Sequence, residues 1–114
     1  MSAIALLTDH HNYFLYTGRT DMRMSFDGLC GIVRHQLGRE VQPRDVFIFL
    51  NSRRTHVKLL LQEADGFTLL YRRLHKGRFH LPEENITEGS IQMSATDLLT
   101  MLARLHQPSA RKRA

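Results

Sequence analysis

Apolar positions recur at different spacings along this chain, and each spacing predicts an element. Tyr13 to Thr17 is partly aromatic or β-branched and runs into Gly18, which predicts a short strand and then a connection through GRTDMR. From Ser25 the spacing changes. Phe26, Leu29, Cys30, Val33 and Leu37 fall at i, i+3, i+4, i+7 and i+11, one face of a helix that Ser25 is placed to cap and Gly38 to end. DVFIFL (Asp45 to Leu50) is a near-continuous apolar run, HVKLLLQE sets Val57, Leu59 and Leu61 against His56, Lys58 and Leu60, and GFTLLYRRL follows the turn signal ADG. These three segments, joined by NSRR and EADG, predict strands in an antiparallel meander with one face packed on the Ser25 helix. SIQMS reads as a last short strand. SATDLLTMLARLH reads as a second helix, with Ser94 and Asp97 at capping-box spacing and Leu98, Met101, Leu102 and Leu105 on one stripe.

The expected fold class is α+β: one antiparallel sheet with two helices packed on it. Residues 1–106 are expected to form a single domain. QPSARKRA, residues 107–114, reads as a basic, disordered tail. A chain of 114 residues buries roughly two-thirds of its unfolded surface, enough to fold without metals or disulfides.

Charge adds a partner to this picture. Sixteen Lys and Arg stand against eleven Asp and Glu, a net +5, and thirteen of those cations are arginine, whose planar fork pairs bidentately with phosphates and carboxylates. The single Cys30 has no intramolecular disulfide partner and falls on the helix's apolar face, where it is expected as a buried thiol. The apolar run Ala3 to Leu7 is short and lacks a basic lead-in, unlike a signal peptide, and no apolar stretch approaches the roughly 20 residues that cross a membrane. A reducing, bacterial-type cytoplasm is the expected location.

The charge is concentrated. Arg53, Arg54, Lys58, Arg72, Arg73, Lys76 and Arg78 face only Glu63 and Asp65 between residues 53 and 78, a local excess of five. In the meander, Arg53 and Arg54 lie where the second strand begins and Arg72 and Arg73 where the third ends, so the two pairs are expected to converge at one edge. Alternation sends Arg72 and Arg73 to opposite faces and puts Lys58 on a face with His56 and Leu60, making a rim rather than a flat patch. Tyr71 and Phe79 could stack on unpaired bases; the competing reading places Tyr71 and Phe67 in the core. The arginines could instead pair with Asp21, Asp27, Glu83 and Glu84.

Catalysis is not expected. The seven histidines include no helical i, i+4 pair at His75 and His80, His10 and His11 are adjacent, and no Cys or Glu pattern completes a zinc site. Asp21 and Asp27 make no evident two-metal pair, and GLCGIV lacks the lysine and hydroxyl of a phosphate loop. No metal, cofactor or small-molecule substrate is expected.

TGRTDMRMSFDGL and FLNSRRTHVKLLLQEADGFTLLYRRLHKGRFHLP together resemble the TnpB accessory proteins, the second open reading frame, of bacterial insertion-sequence family sixty-six. The matching residues are Thr20, Asp21, Met22, Arg23, Asp27, Gly28, Asn51, Arg53 or Arg54, Lys58, Gly66, Phe67, Arg73, Leu74, Gly77, Phe79 and Pro82. Met24 departs from a common lysine and Leu81 from a tryptophan that commonly precedes the proline, which removes a base-stacking aromatic near Pro82. The resemblance implies a role in moving an insertion sequence beside a separate transposase and a further small accessory protein, and it implies no activity. Asp21, Arg23 and Asp27, straddling the helix start, have a local reading too: carboxylates there meet the positive end of the helix dipole and pair with a nearby arginine.

Two functions follow. The seven cations neutralise phosphates of DNA, at insertion-sequence ends, without reading sequence. Alternatively, the same rim docks the transposase or the other accessory protein.

Overall fold

A computed structural model describes residues 8–81 and 89–104. Five strands and two helices follow one another as β1 (Asn12–Tyr16), α1 (Phe26–Gln36), β2 (Asp45–Leu50), β3 (His56–Glu63), β4 (Gly66–Arg73), β5 (Ser90–Met93) and α2 (Ala95–Ala103). The strands form one sheet in the order β4-β3-β2-β1-β5. The β2-β3-β4 meander is present as expected, with Val46 opposite Leu61 and Lys58 opposite Tyr71.

The sheet is mixed, which corrects the purely antiparallel expectation. β1 pairs in parallel with β2, and β5 pairs antiparallel on the other side of β1. The physical reason lies in the segment between β1 and β2: it is long enough to carry α1, and a helical crossover returns the chain to the end from which β1 started.

Both faces of the sheet are covered. Phe14, Phe47, Phe49 and Leu60 point to one face and pack with Leu29 and Val33 of α1. Tyr13, Leu15, Val46, Ile48, Leu50, Val57, Leu59 and Leu61 point to the other, with Leu98, Met101 and Leu102 of α2 and with Phe79. Strand β2 is buried along its whole length because it lies between both layers, so its sequence is apolar without alternation.

Helix ends differ from expectation in two respects, the cap of α1 and the end of α2, which stops at Ala103 with Arg104 as a left-handed cap rather than running on through ARLH. Ser94 caps α2 by accepting a hydrogen bond from the Asp97 amide at 3.0 Å, whereas Ser25 precedes α1 without a side-chain cap bond. Gly38 does follow α1 in the left-handed region, φ 66°, as the stop signal requires. On α1, Leu29 and Val33 are buried, but Phe26 is exposed and Cys30 only half-buried. Leu105, Pro82, Glu83, Glu84 and the 107–114 tail lie outside the described residues.

Candidate nucleic-acid interface

The C-terminal ends of β1 and β2, the start of β3 and the end of β4 form one pole of the sheet. The β2–β3 turn is built there by Asn51. Its side-chain carbonyl accepts from the Thr55 and His56 amides at 2.9 and 3.0 Å, and its amide donates to Thr55 Oγ1 at 3.0 Å. This wiring holds Arg54 in the left-handed region, φ 61°, and leaves Arg53 and Arg54 exposed at the tip.

The chain leaving β4 runs back along that turn. Arg73 is paired with His56, the Leu74 amide donates to the Thr55 carbonyl at 2.9 Å, and the Phe79 amide donates to the Arg54 carbonyl at 2.7 Å. These main-chain bonds bring Arg53, Arg54, Arg73, Lys76 and Arg78, all exposed, to one pole. Gly77, φ 79°, turns the chain at a point where a Cβ would lie 2.3 Å from Arg104 Nη1. Arg104, the left-handed C-cap of α2, donates from that nitrogen to the Lys76 carbonyl at 2.8 Å and adds a sixth cation to the pole.

Two of the expected seven cations serve the fold. Lys58 is buried, 7% exposed, and its ammonium donates to the carbonyls of Met22 and Met24 at 2.7 Å each, with its Nζ 4.9 Å from the centroid of the Tyr71 ring. Arg72 turns to the opposite face, as alternation requires, and donates to the Leu102 carbonyl near the end of α2. Lys58 is thereby withdrawn from solvent, whereas Arg72 stays exposed along its length while its guanidinium is engaged on the α2 side of the sheet. The cationic surface is therefore Arg53, Arg54, Arg73, Lys76, Arg78 and Arg104.

The aromatic expectations divide, Tyr71 being open as the stacking reading requires and Phe79 not. Phe79 is fully buried, so it offers no stacking platform, while Tyr71 and Phe67, placed in the core by the competing reading, are 54% and 42% exposed. Burial of Phe79 follows from its main-chain bond to Arg54, which tucks the segment onto the α2 face of the sheet. Tyr71 and Phe67 stay open because β4 is an edge strand, while the buried side chains of the α1 face come from β1, β2 and β3.

The loop before α1 belongs to the same pole. The Thr20 amide donates to the Leu50 carbonyl at 3.0 Å, and Asp21 accepts from the amide and the guanidinium of Arg23, with a closest approach of 2.7 Å. Those hydrogen bonds hold the Asp21 carboxyl down to about 2. Asp21 is thus engaged locally with Arg23, and the ion pairs among the described residues are Arg23–Asp21 and Arg34–Glu40, neither involving Arg53, Arg54, Arg73, Lys76, Arg78 or Arg104. Burial raises the Cys30 thiol, which opposes thiolate chemistry. No three His, Cys, Asp or Glu among the described residues are placed to hold a metal ion, and no described helix is long and apolar enough to cross a membrane.

The family model for IS66 Orf2-like proteins matches residues 11–112. The chain belongs to this family. No curated protein and no solved structure matches it. Membership gives an accessory role in the transposition of an insertion sequence. The residues that carry the resemblance to this IS66 family are distributed unevenly in space. Thr20, Asp21, Met22, Arg23, Asn51, Arg53, Arg54, Lys58, Arg73, Leu74, Gly77 and Phe79 gather at the pole or brace it, and Asp27 and Gly28 lie in the first turn of α1 next to it. Gly66 and Phe67 stand at the far end of β4. Arg104 escaped sequence reasoning because ARLH continues the helical stripe and gives no sign of a left-handed cap.

Proposed function

We propose that this IS66 Orf2-like protein is a non-catalytic accessory that binds DNA at the ends of its insertion sequence, in the bacterial cytoplasm, through the phosphate backbone. The observation that carries this reading is the convergence of Arg53, Arg54, Arg73, Lys76 and Arg78, exposed and without a carboxylate partner among the described residues, on one pole. Exposed arginines of this kind neutralise phosphates and release counterions, a contribution independent of base sequence. Five such contacts correspond to a slope of about −4.5 for log affinity against log salt on duplex DNA.

The test is fluorescence anisotropy of labelled duplex DNA over a salt series, with wild type beside an Arg53→Glu, Arg54→Glu, Arg73→Glu variant whose fold is checked by circular dichroism. A salt-sensitive affinity that collapses in the variant is the expected result. Absence of salt-sensitive binding by wild type refutes the reading and turns the same arginines toward a transposase or a second accessory protein, to be sought by co-purification.

A further inference from the structure

The edge strand β4 carries a feature that duplex phosphate binding leaves unused. Phe67, Leu69, Tyr71 and Arg73 alternate onto one face, the face that also carries His56, Lys58 and Leu60. Phe67 and Tyr71 are exposed on it, which is unusual for two aromatic rings on one strand of a small protein.

The strip has a wall, a floor and a charged end. Along α1, Cys30 and Arg34 face β3 and β4 across a pocket of about 200 Å3 whose other lining includes Gln62 and Phe67. The buried Gln62 Oε1 has no hydrogen-bond partner among the described residues. At the opposite end the Tyr71 ring is held by Lys58 and lies against the His56 ring, centroids 6.0 Å apart and 27° from parallel. Two residues on is Arg73, paired with His56 at the start of β3, and beyond it Arg53 and Arg54 on the turn. Aromatic faces with cations at one end are the recognition elements for unpaired nucleic acid, where bases stack and the backbone tracks a positive groove. A four-residue separation on a strand places the two rings about 13 Å apart. That exceeds the roughly 3.4 Å between stacked bases of one strand, so each ring would meet a separate, splayed base.

We infer that the face of β4 bearing Phe67 and Tyr71 is a binding strip for single-stranded nucleic acid, with bases on the two rings and the backbone led to Arg73, Arg53 and Arg54. This deepens the phosphate-binding reading and depends on it. Charge complementarity chooses the occupant: the strip ends in three exposed arginines, whereas a peptide added to the β4 edge would need no cations there.

The experiment uses the full chain and an oligothymidylate carrying one 2-aminopurine, beside a duplex of matched length at the same salt. Wild type should prefer the single strand and change the 2-aminopurine emission on binding. Tyr71→Ala should weaken single-strand binding on the order of 5- to 150-fold, the range for one lost stacking contact, and barely change duplex binding. Tyr71→Phe should retain the preference, and Phe67→Ala should reduce it. If Tyr71→Ala and Phe67→Ala bind the single strand as tightly as wild type while the triple arginine variant does not bind, the strip is refuted and phosphate binding stands. If wild type binds neither form at low salt, both fall and a protein occupant replaces nucleic acid. Circular dichroism of each variant separates lost contacts from lost fold.

Discussion

Lys58→Met tests the assignment of Lys58 to the fold rather than to the DNA surface. The side chain is 7% exposed, and its ammonium donates to two carbonyls, Met22 and Met24, each at 2.7 Å, across 36 and 34 residues of sequence. Methionine keeps the length of the stem and removes both donors. Hydrogen bonds from a charged donor contribute about 1.5–3 kcal/mol each. Two corrections reduce the sum: water reaches the exposed Met24 segment and replaces part of what is lost, and removing a buried ammonium also removes its desolvation cost. The net loss expected is about 2–3 kcal/mol, between one and two full charged hydrogen bonds. Urea denaturation should show that loss as a lower midpoint at unchanged slope. Thermal unfolding should show it as a Tm lower by roughly 8–12 °C, at about 4 °C per kcal/mol for a chain of this size. Hydrogen exchange at Met22 to Ser25 should accelerate more than exchange in β2. The salt slope of DNA binding should not change. A destabilisation under about 0.5 kcal/mol, the range of ordinary surface substitutions, would refute the anchoring argument.

Arg72→Ala removes the bond to the Leu102 carbonyl and should cost about 0.5–1.5 kcal/mol by urea denaturation, the lower range because the residue is exposed, with duplex affinity reduced less than by Arg73→Ala. Ser94→Ala should lower stability by about 1 kcal/mol while Ser25→Ala changes it little, since Ser94 makes a side-chain cap bond and Ser25 does not; the same denaturation series reads both. Asp21 should titrate near 2 by carboxyl carbon NMR, and higher in Arg23→Ala but still below the ordinary value of about 3.9, because the residue-23 amide keeps its bond to the carboxylate. Because its folded value is depressed, its contribution is present above the unfolded value and is lost as pH falls toward about 2. A wild-type midpoint near 4 would mean that the Arg23 contacts do not persist in solution.

The sequence disclosed the elements better than their arrangement. Spacing alone located both helices and all five strands, because amphipathic and apolar runs are local signals. The bounds agree within a residue or two except at the end of α2, where the stripe runs on to His106 and the helix stops at Ala103. It missed the parallel pairing of β1 with β2, since nothing in Tyr13–Thr17 distinguishes a neighbour of β2 from a neighbour of any other strand. The convergence of Arg53 and Arg54 with the end of β4 was legible, as hairpin register dictates it. The fates of Lys58 and Phe79 were not. Lys58 looks like any strand cation until the loop at Met22 and Met24 is brought over it, and Phe79 lies in a segment with no periodicity. Between stacking platform and core residue the sequence did not decide for Tyr71, and Phe67 read as core, because aromatic residues on a strand usually are; their exposure follows from the edge position of β4, which is a property of the whole sheet.

The most direct test of the DNA-binding pole is residue-level mapping by amide NMR of the full chain titrated with DNA. The account predicts perturbations centred on residues 51–56 and 71–80 and on Arg104, diminishing as salt rises, with β5 and the far end of α1 unaffected. Perturbations centred instead on β5 or Gly38, or none at low salt, would contradict it.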